Sequence, residues 1–561
     1  DEIIRVVVKG ENLFDALTFK QLEALVETAE KIEGVRRVIS LPGVKKAVDL
    51  AGKWELSKFS DVLDDVALFR KNLYSPDGKS TILTLVLENG ANADAVIAAV
   101  KEMIAKAPAS MSLYQIGMPL VSQAMAHLTE RDFFQLPPIT FLLIALVLFL
   151  LYRRLIYVVL PLGCVGIALV WNFGLMSLTG IPLSILTMIV PVFLIAVGTA
   201  YCLHIISEYL MQAQRASSPV QASIRTYRRI TLPTALAVAT TLVGLGSLLV
   251  NRITAIQEFA IFACLGIVSF LVFLLTFLPA VMSLIPLPKS EKRPDIEKET
   301  DTGKNKESLL DRLLDVIVAI DIKYQKYTLP LIGALIVFCV IGIFKVPVET
   351  NPVGYFKDTT EISRNFHDIY QNLSGCFPIN VTLYGREEDF FEDAQHIADL
   401  AKIQQYMETL PGVDKTISFA DYLQLVNYAS NRFEAKHYRL PEEAWEVRML
   451  INSFKTMLGD DMLSRFMSTE FSRANILLLT HISSSAQFLE TREKIREYAQ
   501  TIFGETYEIE VTGFGMVISE SSHQLTSGQI KSLSITMVLV FGIMFILFLS
   551  SKVGFIAIIP N

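Results

Sequence analysis

The feature that most constrains this chain is a set of seven long, nearly uncharged apolar segments. They are predicted membrane-spanning helices, because crossing the hydrocarbon core takes about 20 mostly apolar residues. Seven buried helices of a water-soluble core are the rival interpretation. Leu, Ile, Val and Phe occur on every helical face of the segments, which disfavours it. The segments are residues 137–152, 155–176, 183–210, 231–250, 259–285, 329–344 and 532–549.

The composition excludes several functional classes. Of the 561 residues 52% are hydrophobic, and the net charge of -7 provides no basic footprint for nucleic acid. The sequence has no P-loop, no recognisable catalytic set and no Cys/His metal spacing, so no enzyme activity, cofactor or metal is expected. Four of the five cysteines lie in apolar segments, and only Cys376 lies in a polar region.

Basic residues predict the orientation. Arg153 and Arg154 lie between the first two spans, Arg228 and Arg229 precede the fourth, and a Lys/Arg-containing linker follows the fifth. Basic loops remain on the cytoplasmic side, so the two long polar segments are expected in the periplasm. The predicted parts are a first periplasmic domain (1–136), a helical bundle (137–285), a cytoplasmic linker (286–328), a span (329–345), a second periplasmic domain (346–531) and further spans (532–561). Within the linker, residues 290–307 are expected to be disordered.

The two polar segments resemble each other. The strand-like residues 6–10 correspond to 381–385, and Leu-Pro-Gly-Val occurs at both 41–44 and 410–413. Each segment predicts β-α-β followed by β-α-β, an α+β ferredoxin-like fold, and the second contains an extra helical stretch at about 428–467. The fold class is therefore a polytopic α-helical membrane protein with two such domains and a pseudo-twofold internal repeat. The same register predicts one more span before residue 1 and four after residue 561.

Residues 191–204, Pro-Val-Phe-Leu-Ile-Ala-Val-Gly-Thr-Ala-Tyr-Cys-Leu-His, resemble the fourth-helix pattern of the resistance-nodulation-division (RND) superfamily. Within it the chain is similar to the MmpL-like exporter branch, which is related to hopanoid and sterol transporters and to sterol-sensing-domain proteins. The resemblance implies a bacterial inner-membrane transporter that moves a hydrophobic or lipid-like molecule through its periplasmic domains, driven by the proton gradient. Many members carry a proton-coupling Asp where this chain has Ala200, so that role does not carry over.

Three polar side chains within the third segment are candidates for a proton relay. Tyr201, His204 and Glu208 are spaced to share one helical face, and ionisable groups within a membrane often mark ion or substrate paths. Imidazole exchanges a proton near neutral pH, so His204 is the hypothetical replacement for the missing Asp. The alternative is that His204 only bonds a neighbouring helix and Glu208 lies among lipid headgroups.

Small residues and a proline mark candidate helix contacts. Gly198, Thr199, Gly244 and Gly246 permit close approach of helices in lipid, either as a sliding interface for gating or as static packing. Pro191 lies seven residues before Gly198 and is the candidate for a functional kink.

Other functions and partners remain open at this stage. A non-transporting sterol or lipid sensor shares the predicted bundle, and a protein-export auxiliary belongs to the same superfamily. The expected partners are the lipid-like substrate, membrane lipids and a soluble periplasmic carrier, and a homo-oligomer is also open.

Overall fold

A computed structural model describes residues 2–49, 52–181, 183–287, 309–343, 352–458, 460–482, 484–504, 507–550, 552 and 554. The chain divides into two compact units. The αβ unit comprises Asp1–Leu136, Val250–Thr254 and Glu349–Lys531, and the helical unit comprises Pro137–Leu249, Ala255–Val348 and Ser532–Asn561. About half of the predicted linker, residues 288–308, lies outside the described residues, and the residues from Leu309 onward form the start of the helix Leu309–Ile343.

The first lobe of the αβ unit is built on a four-stranded antiparallel sheet. Its strands lie in the order β2-β3-β1-β4, and the central β1 is a nearly continuous apolar run, as expected of a strand covered on both faces. The elements are β1 (Ile3–Lys9), α1 (Ala16–Glu30), β2 (Val35–Ile39), α2 (Leu41–Val48), α3 (Leu56–Asp65), β3 (Ser80–Leu87), α4 (Ala93–Ala105) and β4 (Ser112–Ile116).

The second lobe also has a four-stranded antiparallel sheet, and its order is β6-β7-β5-β8. Its elements are α11 (Glu361–Asn372), β5 (Phe377–Gly385), α12 (Ala394–Glu408), β6 (Val413–Ile417), α13 (Phe419–Ser430), α14 (Ala444–Leu458), α15 (Asp460–Phe466), β7 (Arg473–Thr480), α16 (Ser485–Phe503) and β8 (Tyr507–Thr512). Helices α14 and α15 lie in the stretch that was predicted to be helical and extra to the second domain.

A glycine closes each sheet against its central strand. Gly117 follows β4 with φ +154°, and Gly513 follows β8 with φ +142°. A Cβ at Gly117 would lie 2.7 Å from the Ile3 carbonyl oxygen, and one at Gly513 would lie 2.5 Å from that of Pro378. No side chain fits there, since real Cβ atoms do not approach backbone so closely, and both turns therefore require glycine.

Seven helices of the described chain are long and apolar enough to cross a membrane. Their described faces leave large apolar side chains uncovered: Leu142 and Phe338 are each 74% exposed. Apolar surface on this scale fits a lipid environment. The seven helices are α5 (Met118–Tyr152), α6 (Ile156–Thr179), α7 (Val190–Ala213), α8 (Pro219–Gly246), α9 (Thr254–Leu284), α10 (Leu309–Ile343) and α17 (Phe514–Phe548).

Several helices are longer than the predicted spans. The first span is the C-terminal part of α5, which already begins at Met118, and the seventh is the C-terminal part of α17, which begins at Phe514. Hydropathy marks only the apolar part of a helix, because the polar turns that continue it have no such signal. The chain is a mostly helical membrane protein with two small sheets.

Candidate functional site

The three relay candidates all lie on α7 but do not form one cluster. Tyr201 Oη lies 3.0 Å from Thr241 Oγ1 on α8. The Glu208 carboxylate lies 3.4 Å from the Arg229 guanidinium, also on α8, and accepts a hydrogen bond of 2.8 Å from Gln212. Tyr201 and Glu208 are thus both engaged with their surroundings within the helical unit.

His204 differs from its two neighbours because it is exposed. Within the described part of the chain it has no recorded hydrogen bond or ion pair. Ala200, one turn earlier, is exposed too, so the two residues lie on the same outward face of α7. The sequence-based relay therefore stays a prediction: His204 is near Tyr201 and Glu208 by spacing, but it takes no part in their contacts with α8.

Gly198 is the small residue that brings helices together. A Cβ placed on it would lie 2.8 Å from Val165 Cγ2 on α6 and 3.2 Å from Phe270 Cε2 on α9. The adjacent Thr199 is buried, and its hydroxyl donates to the Ile195 carbonyl at 2.6 Å, within its own helix. The geometry at Gly198 is that of close helix packing.

Substituting valine for Gly198 should destabilise the helical unit. The added methyl groups would overlap a β-branched side chain that cannot move aside, and overpacking of this kind typically costs about 1–3 kcal/mol. Thermal unfolding of the purified protein in detergent measures the effect. Gly163→Ala on α6 is the matched control, since nothing lies within 4 Å of its added Cβ. Equal stability of Gly198→Val and the unaltered protein would contradict the packing role.

Gly244 and Gly246 are not held against a neighbour in this way. A Cβ at Gly244 would lie 3.9 Å from Thr536 Cγ2, an ordinary contact, and one at Gly246 would meet no described atom within 4 Å. Hydroxyl groups link the helices nearby instead: Ser247 Oγ lies 2.6 Å from Ser532 Oγ and accepts a 2.8 Å hydrogen bond from Thr536. Hydrogen bonds of this type hold helices together in lipid.

The structure places Pro191 near the start of a candidate span, and its role as a functional kink stays a prediction. This proline lies in the first turn of α7, directly after a 3-10 turn at Thr187–Ile189. Proline is tolerated there because the first helical N–H groups have no intrahelical acceptor. Pro191 therefore marks the start of the α-helix.

Two polar contacts join the lobes of the αβ unit at one carboxylate. Lys9 Nζ on β1 lies 2.6 Å from Asp368 Oδ1 on α11, and the Tyr114 hydroxyl on β4 donates to Asp368 Oδ2 at 2.6 Å. Burial raises the pKa of the Tyr114 phenol, and the Asp368 carboxylate adds to the shift. The phenol therefore stays protonated and serves as a donor across the lobe junction.

A cavity of about 680 Å³ lies beside this junction. It is lined by the N-terminal turns of α4 and α5, by the start of β1 and by Cys376 and Pro378 of the second lobe. Pockets of roughly 300–1,000 Å³ are the usual size for small-molecule sites. The lining includes Ile3, Met118, Pro119, Ala126 and Pro378, which form an apolar surface.

Arg5 is the buried charge in the wall of this cavity. It is 7% exposed, lies on the central strand β1, and donates from Nη1 to the Gly375 carbonyl at 3.0 Å. Its guanidinium also contacts the buried thiol of Cys376. Burial raises the pKa of that thiol despite the opposing effect of Arg5, so the thiol remains neutral near neutral pH.

Arg5, Lys9 and Asp368 are not among the candidates predicted from the sequence. A charged residue within an otherwise apolar strand was the available signal for Arg5. No local pattern could reveal Asp368, which lies more than 350 residues from Lys9 in the chain. Over the described ranges, no group of three or more His, Cys, Asp or Glu side chains is arranged to hold a metal.

Curated relatives resemble parts of the chain. A putative membrane protein of Bacillus subtilis is 22% identical over 434 residues, covering 74% of this chain and 44% of the relative. One of Methanocaldococcus jannaschii is 25% identical over 219 residues, covering 38% and 56%. The apo-petrobactin exporter of Bacillus anthracis is 32% identical over 155 residues, covering 26% and 20%. The chain thus spans about half or less of the length of these relatives.

The fold also matches a solved structure. The hedgehog release protein Disp from the water bear Hypsibius dujardini aligns over 99% of this chain and 75% of its own, with a TM-score of 0.50 and 14% sequence identity. The profile of the MMPL family matches residues 1–300 and 391–559, which is most of the sequence. The resemblance drawn from residues 191–204 is thereby confirmed at the family level, and the chain belongs to the MMPL family.

Proposed function

We propose that this protein is an RND-type transporter of a hydrophobic or lipid-like molecule, which binds between the two αβ lobes. The observation that carries the proposal is the cavity of about 680 Å³, whose wall is largely apolar and is shared by both lobes. One relative is named an exporter, which supports a transport function. Binding of this kind alone would also suit a lipid sensor, so flux is the property to be tested.

The lobes support a repeated, two-half transporter. Their sheets have equivalent strand orders, and a register shift occurs at the start of both β2 and β6. The glycine turns at 117 and 513 meet Ile3 and Pro378, which occupy equivalent positions of β1 and β5. We therefore propose two ferredoxin-like domains, within residues 1–136 and 346–531, that are copies of one unit, as in transporters built from repeats.

The proposed location is the bacterial inner membrane, with both lobes in the periplasm. The support is the basic character of the predicted cytoplasmic turns, where Arg153, Arg154 and Arg229 lie. A soluble periplasmic carrier that receives the molecule is part of the proposal through family resemblance alone. Reaction of engineered cysteines in the lobes and turns with a membrane-impermeant thiol reagent would test this orientation in intact cells.

The proton gradient is the proposed energy source. His204 is the proposed exchanging group, with Tyr201 and Glu208 as neighbours toward α8. One charge that crosses 100 mV supplies about 2.3 kcal/mol.

Flux in sealed vesicles tests the proposal. Purified protein in proteoliposomes should move a fluorescent lipid-like probe when a proton gradient is imposed, and an uncoupler should stop it. Protein-free liposomes are the control. Saturable probe binding without any gradient-dependent flux would favour the sensor and contradict the transporter. Absence of both would contradict each of these functions.

A further inference from the structure

We propose that the cavity between the lobes takes an amphipathic anion whose singly charged head group binds Arg5 and whose apolar tail lies along the rest of the wall. The inference deepens the proposed function and rests on it for the claim that the molecule is cargo. The cavity lining and the surroundings of Arg5 carry it.

The first step is the charge of Arg5. A guanidinium has five N–H donors and is always protonated. In the part of the chain that the structure describes, Arg5 has no carboxylate within ion-pairing distance; its partners are the Gly375 carbonyl and the Cys376 thiol. Both partners are neutral, so Arg5 is buried without a direct ion-pair partner among the described residues. The nearby Asp414 carboxylate is engaged by the Gly375 N–H and by His481.

Lys9, four residues along the same strand, is a cation that does have an ion-pair partner. It is about one-third exposed, yet Asp368 lies 2.6 Å from its ammonium group. Burying an unpaired charge is expensive, whereas an ion pair with good hydrogen bonds offsets much of the cost. An anion that enters the cavity would form with Arg5 the kind of ion pair that Asp368 forms with Lys9.

The second step concerns how many negative charges the head group can carry. Two carboxylates, Glu2 and Asp94, line the same cavity, and both residues are exposed. They repel a second negative charge, so a carboxylate or a phosphodiester fits better than a doubly charged anion such as inorganic phosphate. At the start of α4 the Asn92 side chain already accepts from the Asp94 and Ala95 N–H groups, so these two donors are not available to a ligand.

The third step is the space for a tail. Arg5 and Cys376 are buried at one part of the cavity wall. Met118, Pro119 and Ala126 of α5 extend the wall with apolar surface. A head group alone would leave most of the cavity and its apolar lining in contact with water. A ligand with a hydrocarbon chain would cover that lining and remove its apolar surface from water, which favours binding.

The test compares a carboxylate with its uncharged ester. The full chain in nanodiscs of zwitterionic lipid is titrated with a dansyl-labelled undecanoate and with its methyl ester, and the signal of empty nanodiscs is subtracted. We expect saturable binding of the acid and binding about 10- to 150-fold weaker for the ester, the value of a charge-assisted hydrogen-bond pair. Equal affinities would overturn the proposal, as would displacement of the acid by millimolar inorganic phosphate.

Variants assign the effect to Arg5. Arg5→Gln should weaken binding of the acid by the same factor and leave that of the ester unchanged, and Arg5→Lys should retain part of the difference. Lys20→Gln removes an exposed charge from α1 of the same lobe, outside the cavity lining, and should change affinity by less than about threefold. An unaltered acid affinity in Arg5→Gln would overturn the assignment. Should Arg5→Gln fail to fold, the comparison of acid and ester on the unaltered chain decides by itself.

The binding result and the transport result are separable. The titration is done at equilibrium with no gradient, so selective acid binding without flux leaves the inference standing and removes the proposed function. Gradient-driven flux with equal rates for acid and ester would support the proposed function and contradict the inference.

Discussion

Replacing Ala126 with tryptophan should reduce gradient-driven flux by about 5- to 150-fold while the protein stays folded. Ala126 is exposed on α5 and lines the cavity between the lobes. An indole at this position would occupy space that the transported molecule needs. Forcing a bulky group into an occupied site costs roughly 1–3 kcal/mol, which corresponds to this loss of affinity. Probe flux into proteoliposomes measures it, with thermal unfolding as the check on folding.

Leu128→Trp is the matched control for this prediction. It adds the same ring to the same helix, two residues on and on a different face, at a position that is 45% exposed. Its flux should equal that of the unaltered chain. A folded Ala126→Trp variant with normal flux would place the transport path outside this cavity, and with it the central part of the proposed function would be lost.

Replacing His204 with alanine should collapse gradient-driven accumulation of the probe by up to about fifty-fold at 100 mV. The reason is the loss of the coupled proton: one charge across 100 mV contributes about 2.3 kcal/mol, and that free energy equals a fifty-fold concentration ratio. The side chain is exposed on α7 and has no recorded partner in the described residues, so its removal should leave stability nearly unchanged. Accumulation and proton uptake, recorded together over a range of pH, measure the effect.

A second-site variant sharpens this test. Ala200 lies on the same exposed face of α7, one turn before His204, at the position where the resemblance to the RND fourth-helix pattern implies an Asp in many members. Ala200→Asp added to His204→Ala should restore proton-coupled accumulation with a shifted pH dependence. Met211→Leu, at an exposed position seven residues after His204 on α7, is the control and should have no effect. Unchanged accumulation and pH dependence in His204→Ala would exclude the relay.

The spans were predictable because the hydrophobic effect acts on local sequence. A run such as 259–285 contains enough apolar residues to span a bilayer whatever it contacts, and α9 is found there. The ends of helices were less predictable. Met118 begins α5 well before the apolar residues do, because hydrogen bonding continues a helix through polar turns that hydropathy does not register.

The sequence could predict which candidate residues lie near one another along a single helix, but not which other helices they contact. Tyr201 and Glu208 both engage α8, and the sequence could indicate that they lie near one face but not which helix they meet. His204, although spaced to lie near them, is exposed and has no recorded contact with α8 in the described residues. Gly198 was identified as small, yet its contacts with Val165 and Phe270 depend on two other helices.

The sequence by itself determined that this chain enters a membrane, that it carries two similar αβ segments, and that it resembles the family to which it belongs. These properties follow from apolar segments and short motifs, which depend only on residues close together in the chain. Only the tertiary structure decided that Asp368 meets Lys9 and Tyr114, and that Arg5 is buried beside Cys376 at a cavity shared by two lobes. Such contacts join residues several hundred positions apart, and their energies depend on burial and distance, which arise only when the lobes pack.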